Sequence, residues 1–314
     1  MSLPYGIQAY AAALEHIGAP LLVAEWGCYV LIRDVRDCDG RVIGQDAVSC
    51  YPLACVDPDA DLVAGLSRLR RLGLVSVTLV LDDRHRPDVS SLVSAFDVVR
   101  TFKTHYLRVT GQAATGYSKH HRYEVRRALA SVRTGLLDLT TQAGVFAELY
   151  AHLKNRRCLR GVHDFPAAHF SALGRISGFT AFGGWLGDEL VCAHIWAHDD
   201  TDAVSHLAAS SDKGYQYRAS YAVYAASLDH FDAVACVNLG GSAGTADGTG
   251  DGLAGFKAGF ANACAPAYLC GAVLNSALYE RLSPVPSATY FPAYRAPPSM
   301  RLQPKRQLTA DKGV

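Results

Sequence analysis

The stretch VNLGGSAGTADGTGDGLAGFKAGF, residues 237–260, sets a strand-like start and a helical finish around a long run of Gly, Ala, Thr and Asp, with one lysine, Lys257. A loop of this kind invites two phosphate-binding readings. Gly250, Gly252 and Gly255 match G-x-G-x-x-G, but that fingerprint needs its glycines directly at a strand-to-helix turn inside a βαβ unit. Here a loop separates them from the strand, and too little chain follows for a long sheet. A Walker-type loop needs Gly-Lys-Ser/Thr, so that lysine and hydroxyl both reach out from the first helical turn. This chain has Gly255, Phe256, Lys257 and Ala258, without the hydroxyl and with the lysine displaced. Both are chance matches in a glycine-rich loop, and the role of Lys257 has to be read from its surroundings.

The chain has 314 residues, is 50% hydrophobic and carries a formal charge of +1. It is therefore a globular protein with a sizeable core, and it must meet any anionic partner with a local patch rather than its overall field. The nine cysteines occur singly, without C-x-x-C or zinc-like pairing, which suits reduced thiols and a cytoplasmic location. The start, MSLPYGIQAY, has no basic region followed by an apolar run, and no segment has the apolar length of a membrane span. Neither export nor membrane insertion is expected.

Along the chain, a helical stretch at 5–17 precedes strand-like runs at 20–26, 28–35 and 48–56, a helix from 58 with Leu62, Leu66 and Leu69 on one face, and strands at 74–81 and 103–109. After the helix at 118–133 the order repeats in outline. A short strand at 136–139 leads to helices near 145–157 and 166–175, a three-strand meander over 179–209, a helix at 217–231, a strand at 233–239, the glycine loop, a short helix and a strand at 267–271. Helix, meander, helix, strand, helix, strand is the order of an acyltransferase fold of the GNAT type. The expected fold class is α+β: two GNAT-like domains with mixed sheets flanked by helices. The expected division is 1–135, 136–283 with the catalytic loop, and a proline-rich tail at 284–314 that returns to the first domain.

SKHHRYEVRRALASVR, residues 118–133, carries five cations and one acid. Ser118 is the expected N-cap. Lys119, Arg122, Arg126 and Arg133 fall on one helical face, opposite Val125, Leu129 and Val132, with Arg127 off the main stripe. Such a stripe is either a solvated surface or a seat for phosphates, and only Glu124 relieves its repulsion.

Taken together, HHRYEVRRALA (120–130), FAELYAHLKNRR with GVHDFP (146–166), GWLGDELVCAHIWAH (184–198), and VNLGGS with GLAGFKAGF (237–260) resemble the FemAB-like, FemX-type family of aminoacyl-tRNA-dependent transferases, which have a double GNAT fold. The resemblance covers about residues 118–282. It implies that Lys257 stabilises the transferring acyl centre and neighbouring tRNA phosphate, and that the Phe256 carbonyl helps orient the attacking amine. It further makes Arg157 and Arg160 candidates for acceptor phosphate, while Lys119, Arg122, Arg126 and Arg127 are the candidates of the cationic stripe itself for tRNA or other substrate phosphate. Asn238, Gly240 and Gly241 fall in the matching loop; Tyr215 and Tyr217 are either core or acceptor pocket. The co-substrate would be aminoacyl-tRNA and the acceptor an amine, on a peptidoglycan precursor or a small metabolite, with no other cofactor and no metal.

Elementary chemistry is compatible. Transfer of an aminoacyl ester to an amine needs a deprotonated nucleophile, positioning, and positive charge where the oxyanion develops. His194 and His198 share one strand face with Cys192 and Trp196, but no further ligand completes a metal site, and a polar strip lining a cleft is the better reading. Two alternatives remain: an acyl-CoA-dependent GNAT enzyme, disfavoured because AASSDKGYQYRAS (208–220) lacks the Q/R-x-x-G-x-G/A pyrophosphate loop, and a non-catalytic double-GNAT module that binds RNA or a partner.

Overall fold

The computed structural model describes residues 3–37, 39–111, 116–159, 161–242, 252–283 and 290–297. In chain order the first half contains α1 (Gln8–Ala12), β1 (Ala19–Val23), β2 (Cys28–Arg36), β3 (Val42–Ser49), α2 (Leu62–Arg71), β4 (Ser76–Leu81), α3 (Val89–Ala95) and β5 (Val98–Val109). The second contains α4 (Lys119–Leu129), β6 (Arg133–Leu136), α5 (Leu139–Arg157), α6 (Ala167–Leu173), β7 (Phe179–Leu186), β8 (Glu189–His198) and β9 (Asp202–Ser210). It continues with α7 (Asp212–Gln216), α8 (Ala219–His230), β10 (Cys236–Asn238), α9 (Gly252–Ala258), β11 (Ala263–Val273) and α10 (Ser276–Leu282).

Each half repeats one scheme: an antiparallel meander, a helix, a strand parallel to the meander's last member, a second helix and a final strand. The parallel pairings among the described residues are β3 with β4, through Ala47↔Val77 and Val48↔Thr78, and β9 with β10, through Asp202↔Cys236 to Val204↔Asn238. The final strands then trade places. β11 lies antiparallel to β4, β5 lies antiparallel to β10, and β5 and β11 pair with each other. One eleven-stranded mixed sheet results, in the order β1-β2-β3-β4-β11-β5-β10-β9-β8-β7-β6. Two hydrophobic clusters serve the separate halves. A third bridges them, with Leu3, Tyr5, Tyr10 and Leu14 of the N-terminal segment against Phe146, Tyr150 and Phe170 of α5 and α6. The two repeats share this one sheet, and α4 and β6, which precede residue 137, lie with the second of them.

Several element boundaries differ from those read in the sequence. The 5–17 helix shortens to α1, preceded by a 3-10 turn at Pro4–Gly6. The basic helix stops at Leu129, and Arg133 joins β6, where its guanidinium stacks 4.6 Å from the Trp185 ring. Arg133 therefore leaves the cationic stripe, and Leu129 is exposed rather than packed. α5 starts six residues before its expected position and is capped by Asp138, whose carboxylate accepts from the Thr140 N–H at 2.8 Å. β5 begins five residues before its expected start because Val98, Val99, Arg100 and Thr101 pair with β11, a partner remote in sequence.

Residues 290–297 lie against the first half. The buried Asp46 of β3 accepts from Arg33, from Arg295 at 2.6 Å and from the Tyr294 hydroxyl at 2.9 Å. Phe291 occupies the space that a side chain at Gly271 of β11 would need. A buried carboxylate shared by two guanidiniums is held firmly, and removing one partner of such a pair costs about 3–5 kcal/mol.

Five histidines are buried among the described residues: His105, His121, His169, His194 and His206. Burial lowers the pKa of His105 and His169 to about 4 and pulls His194 and His206 well below the ordinary value. A histidine whose folded pKa is depressed contributes stability above its unfolded pKa of about 6.5, and that contribution is lost as pH falls. Thermal melts are expected to show a steep loss of stability between about pH 6.5 and 4; a flat profile would contradict the neutral, buried assignment. The strand exchange gives a second expectation. A fragment ending at Leu136 lacks β11, so β4 loses the longer of its two ladders and β5 loses β11 and β10, and circular dichroism should show no cooperative melt.

Candidate active site

The ends of β4 and β10 meet at the centre of the sheet, and a polar cluster forms there. Asn238, the last residue of β10, is buried, and its three side-chain bonds fix its orientation. Oδ1 accepts from the Gly240 N–H at 2.8 Å, while Nδ2 donates to His105 Nδ1 at 3.1 Å and to Asp82 Oδ2 at 3.4 Å. Asn238 thereby uses both amide hydrogens and bridges the repeats, since Asp82 follows β4 and His105 lies on β5. Gly240 has φ of +76°, a left-handed conformation suited to glycine. A Cβ there would also stand 3.1 Å from Lys257 Nζ.

Lys257, on α9, is buried, and its ammonium donates to the Gly241 carbonyl at 2.6 Å. Gly241 is crowded from the other side by the stem of Lys103, whose ammonium donates to the Ser242 carbonyl at 3.1 Å. Two lysines thus grip consecutive carbonyls at the mouth of the glycine loop. Residues 243–251 of that loop, including Gly250, lie outside the described residues. The ammonium's field reaches two histidines: burial chiefly, then the Lys257 charge, depresses both His105 and His194. Both stay neutral at physiological pH.

Asp82 starts a second arm. Burial alone would raise its carboxyl, but hydrogen bonds and charge from His85 outweigh this and hold it below the ordinary value. His85 gains in return: burial would lower it, yet Asp82 and Asp202 raise it above the ordinary histidine value. Next to it, Arg84 makes a two-pronged contact with Asp202 of β9, at 2.5 and 3.1 Å. The segment after β4 is therefore bound to the second repeat at both Asn238 and Asp202.

Phe256, one residue before Lys257, is half-buried between Tyr221 and Phe260, with ring centroids 4.9 and 5.2 Å away. Its carbonyl accepts from His121 Nε2 at 2.8 Å. Along α4, Lys119, Arg122, Arg126 and Arg127 are all exposed, and none has an acidic partner among the described residues. Glu124 does not relieve the stripe as the sequence suggested: it is buried and pairs with Arg218 at 2.7 Å. The surface of this helix is more uniformly cationic than its sequence.

Other expected residues stand apart. Arg157 is exposed at the end of α5, and it is Arg156 that engages Tyr215, 4.1 Å over the ring. Tyr215 and Tyr217 are both exposed, and among the described residues no hydrogen bond or ring contact joins them to the Lys257 cluster. Tyr221, by contrast, packs between α4 and α9. Arg160 lies outside the described residues. His194 does not line a cleft; it is buried, stacked on Tyr224 and bonded to Ser205 at 2.9 Å, while His198 bonds Thr180 at 2.9 Å. No cluster of His, Cys, Asp or Glu among the described residues could hold a metal ion. Sequence reading missed Asp82, His85, His105 and His121, although DDRHRPD directly after an apolar strand was a visible signal for the first two.

No family model and no curated protein matches this chain. Solved structures do. The C-terminal domain assigned to a lysylphosphatidylglycerol synthetase from Agrobacterium fabrum superposes with a TM-score of 0.60 at 13% identity, over 85% of this chain and 88% of that one. FemX gives 0.56 at 13% identity, over 88% and 93%. L-PGS from Bacillus licheniformis gives 0.54 at 11% identity, over 86% and 93%. At such identities the likeness is one of fold, and it covers most of every chain involved. The fold is α+β and double GNAT-like, of the FemX type, and no described helix is long and apolar enough to cross a membrane.

Proposed function

We propose that the chain is an aminoacyl-tRNA-dependent transferase that moves an amino acid from the tRNA 3′ end to an amine, forming an amide. The observation that carries this reading is the buried Lys257 ammonium at the mouth of the glycine loop, on a helix bonded to the cationic α4. FemX-type likeness in fold supports it, as do the residues of the loop. In the proposed step the amine nitrogen attacks the ester carbonyl carbon, the bond to the ribose oxygen breaks, and the proton lost by the nitrogen ends on that oxygen. Lys257 donates an N–H to the oxyanion formed on the way, from a buried position where such a donor acts strongly. Lys119, Arg122, Arg126 and Arg127 meet tRNA phosphates. Asn238, Gly240 and Gly241 shape the loop mouth, Arg157, Tyr215 and Tyr217 are assigned to a more distant part of the substrate surface, and Arg160 is assigned to acceptor phosphate.

The direct test is incubation with pooled charged tRNA and a panel of lysine, putrescine and short alanine-containing peptides, with and without RNase, against acetyl-CoA as the competing donor. Transfer abolished by RNase is expected; RNase-resistant transfer from acetyl-CoA would replace the donor assignment. Lys257→Ala is expected to lower single-turnover transfer on the order of a hundredfold while the melting temperature changes little. A folded Lys257→Ala variant with the parent rate would remove Lys257 from the reaction. Replacing Arg122, Arg126 and Arg127 together with Ala should weaken tRNA binding and flatten its salt dependence, since each lost phosphate contact removes released counterions. An unchanged salt slope would return α4 to an ordinary solvated surface.

A further inference from the structure

The last carbonyls of α9 are not all satisfied by their own backbone. The Gly255 carbonyl accepts from the Gly259 N–H, and the Lys257 carbonyl accepts from Phe260 and Ala261. Between them, the Phe256 carbonyl is met by no described backbone N–H and takes its bond from His121 Nε2 instead. An orphan carbonyl at a helix end needs such a partner. The carbonyl has no hydrogen to give, so Nε2 is the protonated nitrogen of the ring and Nδ1 is the acceptor. Nδ1 faces Ser118 Oγ at 2.9 Å, and the same oxygen caps α4 by accepting from the His121 N–H at 3.2 Å. A parallel strut runs from the Ser118 N–H to the Gly259 carbonyl at 2.9 Å. Gly259 has to be glycine, because a Cβ there would fall inside the His121 ring.

We infer that His121 is a positioning residue for the transfer proposed above. It fastens the α9 backbone, one residue from Lys257, to the capped first turn of the cationic helix, so that the surface meeting phosphate and the ammonium meeting the oxyanion share one rigid geometry. The inference rests on that functional reading for its purpose, and on the hydrogen bonds for its geometry. Lys119 and Arg122 flank His121 on the exposed side of α4 while the imidazole points inward, so one helical turn serves both ends of the substrate. The ring also packs on Tyr221 and Phe260, with centroids 5.1 and 4.6 Å away. That packing is the purely structural part of its role, and a phenylalanine would preserve it.

The test separates the donor from the packing. His121→Phe keeps an aromatic ring without a donor, and His121→Gln returns an amide N–H to the carbonyl. Two readouts are taken on folded protein: single-turnover transfer from pooled charged tRNA to the same amine panel, and the rate at which trace acetic anhydride labels Lys257 relative to the exposed Lys213. His121→Phe is expected to slow transfer by up to about a hundredfold, the usual result of a misplacement near 1 Å, with the apparent KM for tRNA unchanged, and to raise Lys257 labelling. His121→Gln should restore both. Parent-like labelling in folded His121→Phe, or identical behaviour of the two variants, would overturn the inference. If His121→Phe does not fold, Gly259→Ala displaces the imidazole from the other side and must raise Lys257 labelling. If no protein, parent included, transfers an amino acid, yet labelling responds as expected, the tether stands and the transferase reading falls.

Discussion

Because each repeat ends in a strand that pairs with the other repeat, neither β4 nor β10 has a complete set of neighbours within its own half. The central ladder between β5 and β11, running from Leu107↔Ala263 to Val98↔Gly271 with one register shift, supplies what both lack. This constraint brings the ends of β4 and β10 together, so that Asp82 and Asn238 touch although 156 positions separate them. In an open mixed sheet the groove beyond strand ends is where a ligand is usually taken. Here that groove is lined from both repeats at once.

The polar groups in it are arranged for a fixed charge rather than a mobile one. Asn238 has every side-chain hydrogen assigned, and His105 is neutral in the field of the Lys257 ammonium. Asp82 stays ionised against His85. Donors already held in place by the fold need little rearrangement when negative charge appears next to them, which is the electrostatic requirement for stabilising an oxyanion. The cost is a site sensitive to acid, because His105 gains charge only by opening.

Much of this was legible in the residues. The twofold order of meander, helix and strand follows from apolar periodicity, and the Ser118 cap and the loop around Lys257 follow from local chemistry. What escaped were relations between distant segments. No local pattern shows that β11 inserts between β4 and β5, and β5 therefore looked shorter than it is. Glu124 looked like a surface acid because its partner, Arg218, lies beyond three further helices in sequence. His121 looked like one more polar residue of a basic helix, since the carbonyl it serves belongs to Phe256. Arg157 looked preferable to its neighbour Arg156, which is the one that stacks over Tyr215, a residue some sixty positions away.

The exchange of final strands also bears on how the polypeptide emerges from the ribosome. β4 ends at Leu81, and its neighbour β11 begins only at Ala263. At 5–20 residues per second the intervening chain takes on the order of ten to forty seconds to make. Throughout that interval the nascent first repeat carries an open strand edge, rich in valine and leucine, that any other extended segment could extend. The order of translation thus exposes the nascent chain to mispairing with its neighbours on the same message, and the finished protein closes that edge only with nearly its last strand.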